Sequence, residues 1–265
     1  MEKLRTIAGL LRIRHTAQVA GIVALVGLKN RVDFGHLVSP VLAILSLTVS
    51  LFFLDDAHDY KSDVVVHPGR AVPRGVVASE TLLFLGIPIL VSAILVALTL
   101  SRFQLFCFAT IAFSGLVVVY LRLPSVLRSM LAAYMIWALF PFGTGSMNAG
   151  TLLFGLVVAL PHIGGNIAKD FIHQKGDQKI GLPRPHTKSK YIAASAFLTC
   201  SIVLWIPVAL GLVNWYYTGF ILLTFLSCLF LGAELLLNRF GKVYLLGAVG
   251  MIASLLAFIF GLDRL

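Results

Sequence analysis

Two short stretches of the chain concentrate its carboxylates. Asp55, Asp56, Asp59 and Asp63 lie within nine residues, and Asp170 and Asp177 flank His173 in a second stretch. Together they hold six of the 11 acidic residues in the sequence. Asp56, Asp59 and Asp63 are spaced i, i+3 and i+7, as are Asp170, His173 and Asp177, so on a helix each trio shares a face. Carboxylates this close repel one another, and near the C-terminal end of a helix they also oppose its dipole. The spacing therefore predicts a cationic partner. Hard divalent cations take oxygen ligands, and magnesium typically takes one or two carboxylates together with phosphate oxygens of a substrate. Two such helix ends facing each other would form a cradle in which metal ions bridge to a diphosphate. The plainer alternative is a set of solvated loop charges balanced by Lys61, Arg70 and Lys179.

The elements that must position these residues are membrane spans. With 59% hydrophobic and 12% charged residues over 265 positions, the chain has too little polar surface to cover a water-soluble globule of its size. Apolar runs of about 20 residues, enough to cross a bilayer, lie near 15–29, 36–54, 77–100, 104–120, 127–147, 151–169, 191–213, 216–236 and 243–262. These runs do not alternate as barrel strands do, so helices must satisfy their backbone hydrogen bonds. The expectation is an all-α polytopic membrane protein of about nine transmembrane helices around a central cavity. Residues 1–265 form a single domain in this reading. Its motif loops, about 55–76 and 169–190, each follow an even-numbered span and close with prolines, the pattern of a diverged internal repeat.

The net charge of +10 is a topology signal and not a nucleic-acid footprint. Seventeen of the 21 basic residues fall at the N-terminus or in the 55–76, 121–128, 169–190 and 237–242 segments. With nine helices all of these share one side, which the positive-inside rule makes cytoplasmic. The plasma membrane of a prokaryote is the expected location. Leu4, Ile7, Leu10 and Leu11 give the basic N-terminus an amphipathic face, read as an interfacial helix leading into the first span. Cys107, Cys200 and Cys228 lie in spans without metal-ligand spacing and read as small buried residues.

The chain resembles the UbiA superfamily of intramembrane prenyltransferases. The first family signature, Asn-Asp-x-x-Asp-x-x-x-Asp followed by an arginine- and proline-containing loop, is matched by Asp55 to Asp63 and then Arg70 to Gly75. The second, Asp-x-x-Asp-x-x-Gly-Asp-x-Lys-x-Gly, is matched at Asp170, Gly176, Asp177, Lys179 and Gly181. Two departures stand out. Asp55 replaces an asparagine, which keeps an oxygen ligand, and His173 stands where the second motif has its middle aspartate. Imidazole is a poorer partner for magnesium than carboxylate.

The resemblance implies magnesium-dependent transfer from a polyprenyl diphosphate, with Asp55, Asp56, Asp59, Asp63, Asp170, His173 and Asp177 as the metal set. Arg70, Lys169 and Lys179 are the leading diphosphate ligands, with Lys61, Arg74 and Asn166 behind them. The acceptor is expected to be aromatic, of the quinone-precursor type, or another lipophilic molecule. Tyr120, Arg122 and Arg128 are candidates to hold it, and a phosphate-bearing acceptor would suit the archaeal lipid branch of the family. A family-type terpene cyclase and a cation-coupled transporter are the rival readings. Membrane lipid is the expected surrounding, and nucleic acid is not an expected partner.

Overall fold

The structure, a computed structural model, describes residues 8–179 and 186–262, leaving aside the side chains of 66 and 173–179. All regular elements among them are helical. They are α1 (Ile13–Lys29), α2 (Phe34–His58), α3 (Tyr60–Val66), α4 (Ser79–Ala97), α5 (Arg102–Tyr120), α6 (Ser125–Thr144), α7 (Ala149–Lys179), α8 (Ser189–Val203), α9 (Ile206–Ala209), α10 (Trp215–Leu236) and α11 (Val243–Gly261). Eight segments are long and apolar enough to cross a membrane, with α8 and α9 acting as one span over Ser189–Ala209. The expected count of nine is therefore approximate. The first helix, at 17 residues and with Arg14 in its first turn, falls short of the others.

The chain divides into two compact units. The first comprises Met1–Arg122, Pro141–Ser146 and Gly176–Pro183; the second comprises Leu123–Phe140, Met147–Lys175 and Arg184–Leu265. In the first unit α2 packs on α1, α4 and α5. Without water to expel between helices, close backbone approach and polar contacts hold such a bundle. The hydroxyl of Ser50 donates to the carbonyl of Gly86 at 2.8 Å, and Gly86 lies against Phe53 and Leu54. Beside this contact Val49, Phe53, Ala57 and Leu82 form an apolar cluster, and Leu10, Leu11, Val72 and Val77 pack on it. The cluster thus ties the N-terminal segment and the 67–78 loop to the end of α2.

In the second unit α10 packs on α8 and α11. Thr224 donates to the carbonyl of Gly250 at 3.1 Å, while Gly232 meets Leu198 of α8. Helix starts follow local chemistry. The side chains of Ser101 and Asn214 accept from the backbone N–H groups of Gln104 and Tyr216, and Asn148 does the same for Thr151 ahead of α7.

Two boundaries differ from the sequence reading. The polar stretches expected to be loops begin as helix: α2 runs on to His58, α3 follows at once, and α7 extends to Lys179. At 1.5 Å per residue the 31 residues of α7 extend roughly 46 Å, well beyond a hydrocarbon core of about 30 Å. The second motif, from Asp170 onward, therefore rides on the last turns of α7.

Candidate active site

The first acidic cluster is built where α2 ends. Asp55 and Asp56 occupy the last turn of α2, Asp59 is the hinge residue between α2 and α3, and Asp63 lies in the first turn of α3. The break at Asp59 is slight: the N–H of Asp63 still bonds to the Asp59 carbonyl at 2.9 Å. The helical face expected from the spacing holds for Asp56 and Asp63, which are 7% and 5% exposed. Asp59 turns away, half-exposed, with its carboxylate 3.2 Å from Nδ1 of His58. Burial, then the charge of Asp55, raises its pKa above the usual carboxylate range.

Two guanidinium groups hold the buried carboxylates. Arg70 Nη1 donates to Asp63 Oδ2 at 2.6 Å and lies 3.7 Å from Asp56 Oδ1. Its loop is shaped for this: the N–H of Arg70 bonds to His67, that of Val76 to Ala71, and Gly75 takes a left-handed φ of 68° that a side chain would disfavour. Arg12 approaches from the other side. Its Nη2 donates to Asp55 Oδ2 at 2.9 Å and closely to Asp56 Oδ1, and its guanidinium lies 4.6 Å over the Phe52 ring. Burial opposes the charge on Arg12, but Asp55 and Asp56 outweigh it and raise its pKa.

Sequence spacing gave no sign of Arg12 as a partner of this cluster. It lies 43 positions from Asp55, in a segment that otherwise reads as topology charge. The nearest signal was the amphipathic N-terminus, whose Leu10 and Leu11 do pack beside the end of α2.

The second cluster follows the same pattern within its own unit. Asp170 on α7 accepts from Arg128 Nη2 at 2.6 Å and, closely, from the hydroxyl of Ser125. Ser125 and Arg128 stand one turn apart at the start of α6. Ser125 was not singled out by the sequence. Arg128, expected as an acceptor ligand, pairs with Asp170 in this structure. Next to Asp170, Phe171 stacks on Phe240 with ring centroids 5.4 Å apart. Asn166, half-buried, and Lys169, exposed, lie on the preceding turn of α7. The side chains of His173, Asp177 and Lys179 lie outside the described residues.

The remaining candidates spread out. Lys61 lies over the ring of its neighbour Tyr60 at 6.0 Å. Arg74 is exposed on the turn that follows Arg70, and Arg122 is exposed beyond α5. Tyr120 ends α5 with its ring edge-on to His58, centroids 5.4 Å apart.

The donor set of the first cluster suits a hard divalent cation: four carboxylates lie on three successive turns, and Arg12 and Arg70 pair with three of them. Like charges about 4 Å apart repel by on the order of 4 kcal/mol at an effective dielectric near 20, so the surplus favours a further cation. Among the described residues, however, no three His, Cys, Asp or Glu side chains already converge as a metal cage. Arginine nitrogens take the oxygens a metal would use.

No model of a known protein family matches the chain. Digeranylgeranylglyceryl phosphate synthase of Halobacterium salinarum is 28% identical over 174 residues, and the match spans 62% of this chain and 62% of that relative's length. A solved structure of a digeranylgeranylglyceryl phosphate synthase superposes with a TM-score of 0.76 at 18% identity, covering 98% of this chain and 99% of the other. A UbiA homolog from Archaeoglobus fulgidus bound to DMAPP and Mg2+ gives 0.60 at 12% identity, covering 95% and 97%. The same protein bound to GPP and Mg2+ gives 0.60 at 13%, covering 96% and 98%. The chain is thus an all-helical, multi-pass integral membrane protein. Its fold is that of the UbiA homologs, and the resemblance read from the sequence holds at that level.

Proposed function

We propose that this protein is a magnesium-dependent prenyltransferase of the UbiA type, which moves the prenyl group of a polyprenyl diphosphate onto a lipophilic acceptor within the membrane. The observation that carries this reading is the gathering of Asp55, Asp56 and Asp63 with Arg70 at the end of a membrane span. It is supported by the UbiA fold and by a second motif on the last turns of α7. Among acceptors, a glycerol-based lipid phosphate stands first, because a relative at 28% identity and a solved structure with a TM-score of 0.76 are both digeranylgeranylglyceryl phosphate synthases. An aromatic quinone precursor is the second choice.

In this reading Asp55, Asp56, Asp59 and Asp63 of the first motif would hold magnesium, and so would Asp170, His173 and Asp177 of the second. When bound, the metal neutralises charge on the leaving diphosphate as the allylic C–O bond breaks and the electron pair departs with oxygen. Arg70 binds the same diphosphate by exchanging part of its hold on Asp63, and Lys169, Lys179, Asn166, Lys61 and Arg74 are its further candidates. Arg128 and Ser125 fix the orientation of Asp170. Tyr120, Arg122 and Arg128 are the candidates for holding the acceptor, whose nucleophilic oxygen or carbon attacks the allylic cation and then loses a proton. The apolar spans keep water from that cation.

In this reading the motifs face the cytoplasm from a prokaryotic plasma membrane, an orientation that the positive-inside distribution supports. The test is to supply purified protein with magnesium and radiolabelled farnesyl or geranylgeranyl diphosphate, together with a panel of glycerophosphate and aromatic acceptors. Labelled product with a glycerophosphate lipid is expected. No magnesium-dependent pyrophosphate release with any prenyl chain or acceptor overturns the proposal.

A further inference from the structure

The guanidinium of Arg12 occupies the same carboxylate oxygens that the proposed metal needs. It bridges Asp55 and Asp56, rests on Phe52, and is carried by a segment whose Leu10 and Leu11 are seated in the apolar cluster beside α2. The backbone of Arg12 is itself constrained. At φ 42° and ψ 49° it lies in the left-handed region, unusual for a residue with a Cβ, and it ends a turn whose N–H bonds to the Gly9 carbonyl at 3.1 Å. A conformation of this kind persists only where its surroundings hold it, and here the holding contacts are the two leucines and the two aspartates.

Resting on the prenyltransferase reading above, we infer that Arg12 is a built-in counter-cation for the first motif. It fixes Asp55 and Asp56 while no metal is bound and yields their oxygens when a divalent cation arrives. Charge decides the direction of the exchange. An arginine supplies one positive charge from a fixed side, whereas a divalent ion supplies two and is itself coordinated by both carboxylates, so the ion gains most from the release of Arg12. The second unit carries a parallel arrangement in Arg128 on Asp170. Arg12 is accordingly a positioning residue that sets how strongly the empty motif resists metal.

The experiment measures Mn2+ binding, without diphosphate, to the full chain in detergent or nanodiscs by EPR and calorimetry. Arg12→Gln is expected to bind Mn2+ about tenfold more tightly than the wild type, because the carboxylates lose a competing cation. Its melting temperature without metal should drop, and saturating Mn2+ should close that gap. Arg12→Lys, which keeps the charge, should stay within about twofold of the wild type. Phe52→Leu removes only the ring under the guanidinium and should tighten binding by about two- to threefold, a test that survives if Arg12→Gln folds poorly. Wild-type Mn2+ binding with no tightening in either Arg12→Gln or Phe52→Leu overturns the counter-cation role and leaves the prenyltransferase reading standing. Absence of Mn2+ binding in every variant overturns both.

Discussion

Asp56 carries more of the first motif than any other single residue. It is buried at the end of a span, lies between Arg12 and Arg70, and shares its face with Asp63. Asp56→Asn keeps the shape and removes the charge that both a metal and two guanidinium groups use. Turnover should fall by at least about 10²–10³-fold, the scale of losing one charge-stabilising group, while the folded fraction by size-exclusion chromatography stays near wild type. Near-normal turnover would return the cluster to the status of interfacial charge. His173 is the opposite case, a departure from the motif with its neighbours on either side. If it is a weakened metal ligand, His173→Asp should hold or raise kcat and lower the magnesium concentration needed for half-maximal rate, because a carboxylate suits magnesium better than imidazole. A loss of tenfold or more in kcat points to a role that only histidine fills.

At the scale of elements, the important contacts are the ones that fix the helix ends carrying the motifs. Ser125 and Arg128 at the start of α6 hold Asp170, through a hydroxyl bond and a half-exposed ion pair each worth on the order of 1 kcal/mol. Ser125→Ala and Arg128→Gln should therefore each lower kcat by about tenfold or less, with the KM for prenyl diphosphate little changed. A rise in KM at constant kcat would mean that these residues bind substrate instead of orienting Asp170. Within the first unit, α1 meets the end of α6 at Gly143, where a Cβ would come within 2.9 Å of the Val23 carbonyl and 3.3 Å of its Cα. Gly143→Ala should cost about 1–3 kcal/mol, seen as a lower melting temperature in detergent, because backbone and not a flexible side chain must give way.

These elements also show what the sequence reveals and what it hides. Helix type and span positions follow from apolar length, and the pairing of Asp56 with Asp63 follows from helical spacing. The helical start of both polar stretches was hidden because charge suggested loop, although no glycine or proline interrupts 55–66. Arg12 on Asp55 and Ser125 on Asp170 were hidden for a different reason. They join positions more than 40 residues apart, and no local period encodes such contacts.

At the scale of the whole molecule, the open matter of orientation turns on charge placement. By alternation of the spans Ser79–Ala97, Arg102–Tyr120 and Ser125–Thr144, the 55–76 stretch and the 121–128 segment are expected on one side and the short turns at 98–101 and 145–148 on the other. The basic residues crowd the first side, so that side should be cytoplasmic. Chemical labelling can decide this cleanly, because Cys107, Cys200 and Cys228 are all buried and contribute little background. Val76, 49% exposed beyond the first motif, and Met147, 54% exposed at the turn before α7, give one reporter on each side. In right-side-out vesicles a membrane-impermeant maleimide should modify Met147→Cys and spare Val76→Cys. In inverted vesicles the pattern should reverse. If Val76→Cys reacts from outside, the motifs face away from the cytoplasm, and a prenyl diphosphate made in the cytoplasm would have to cross the membrane before it reached Asp56.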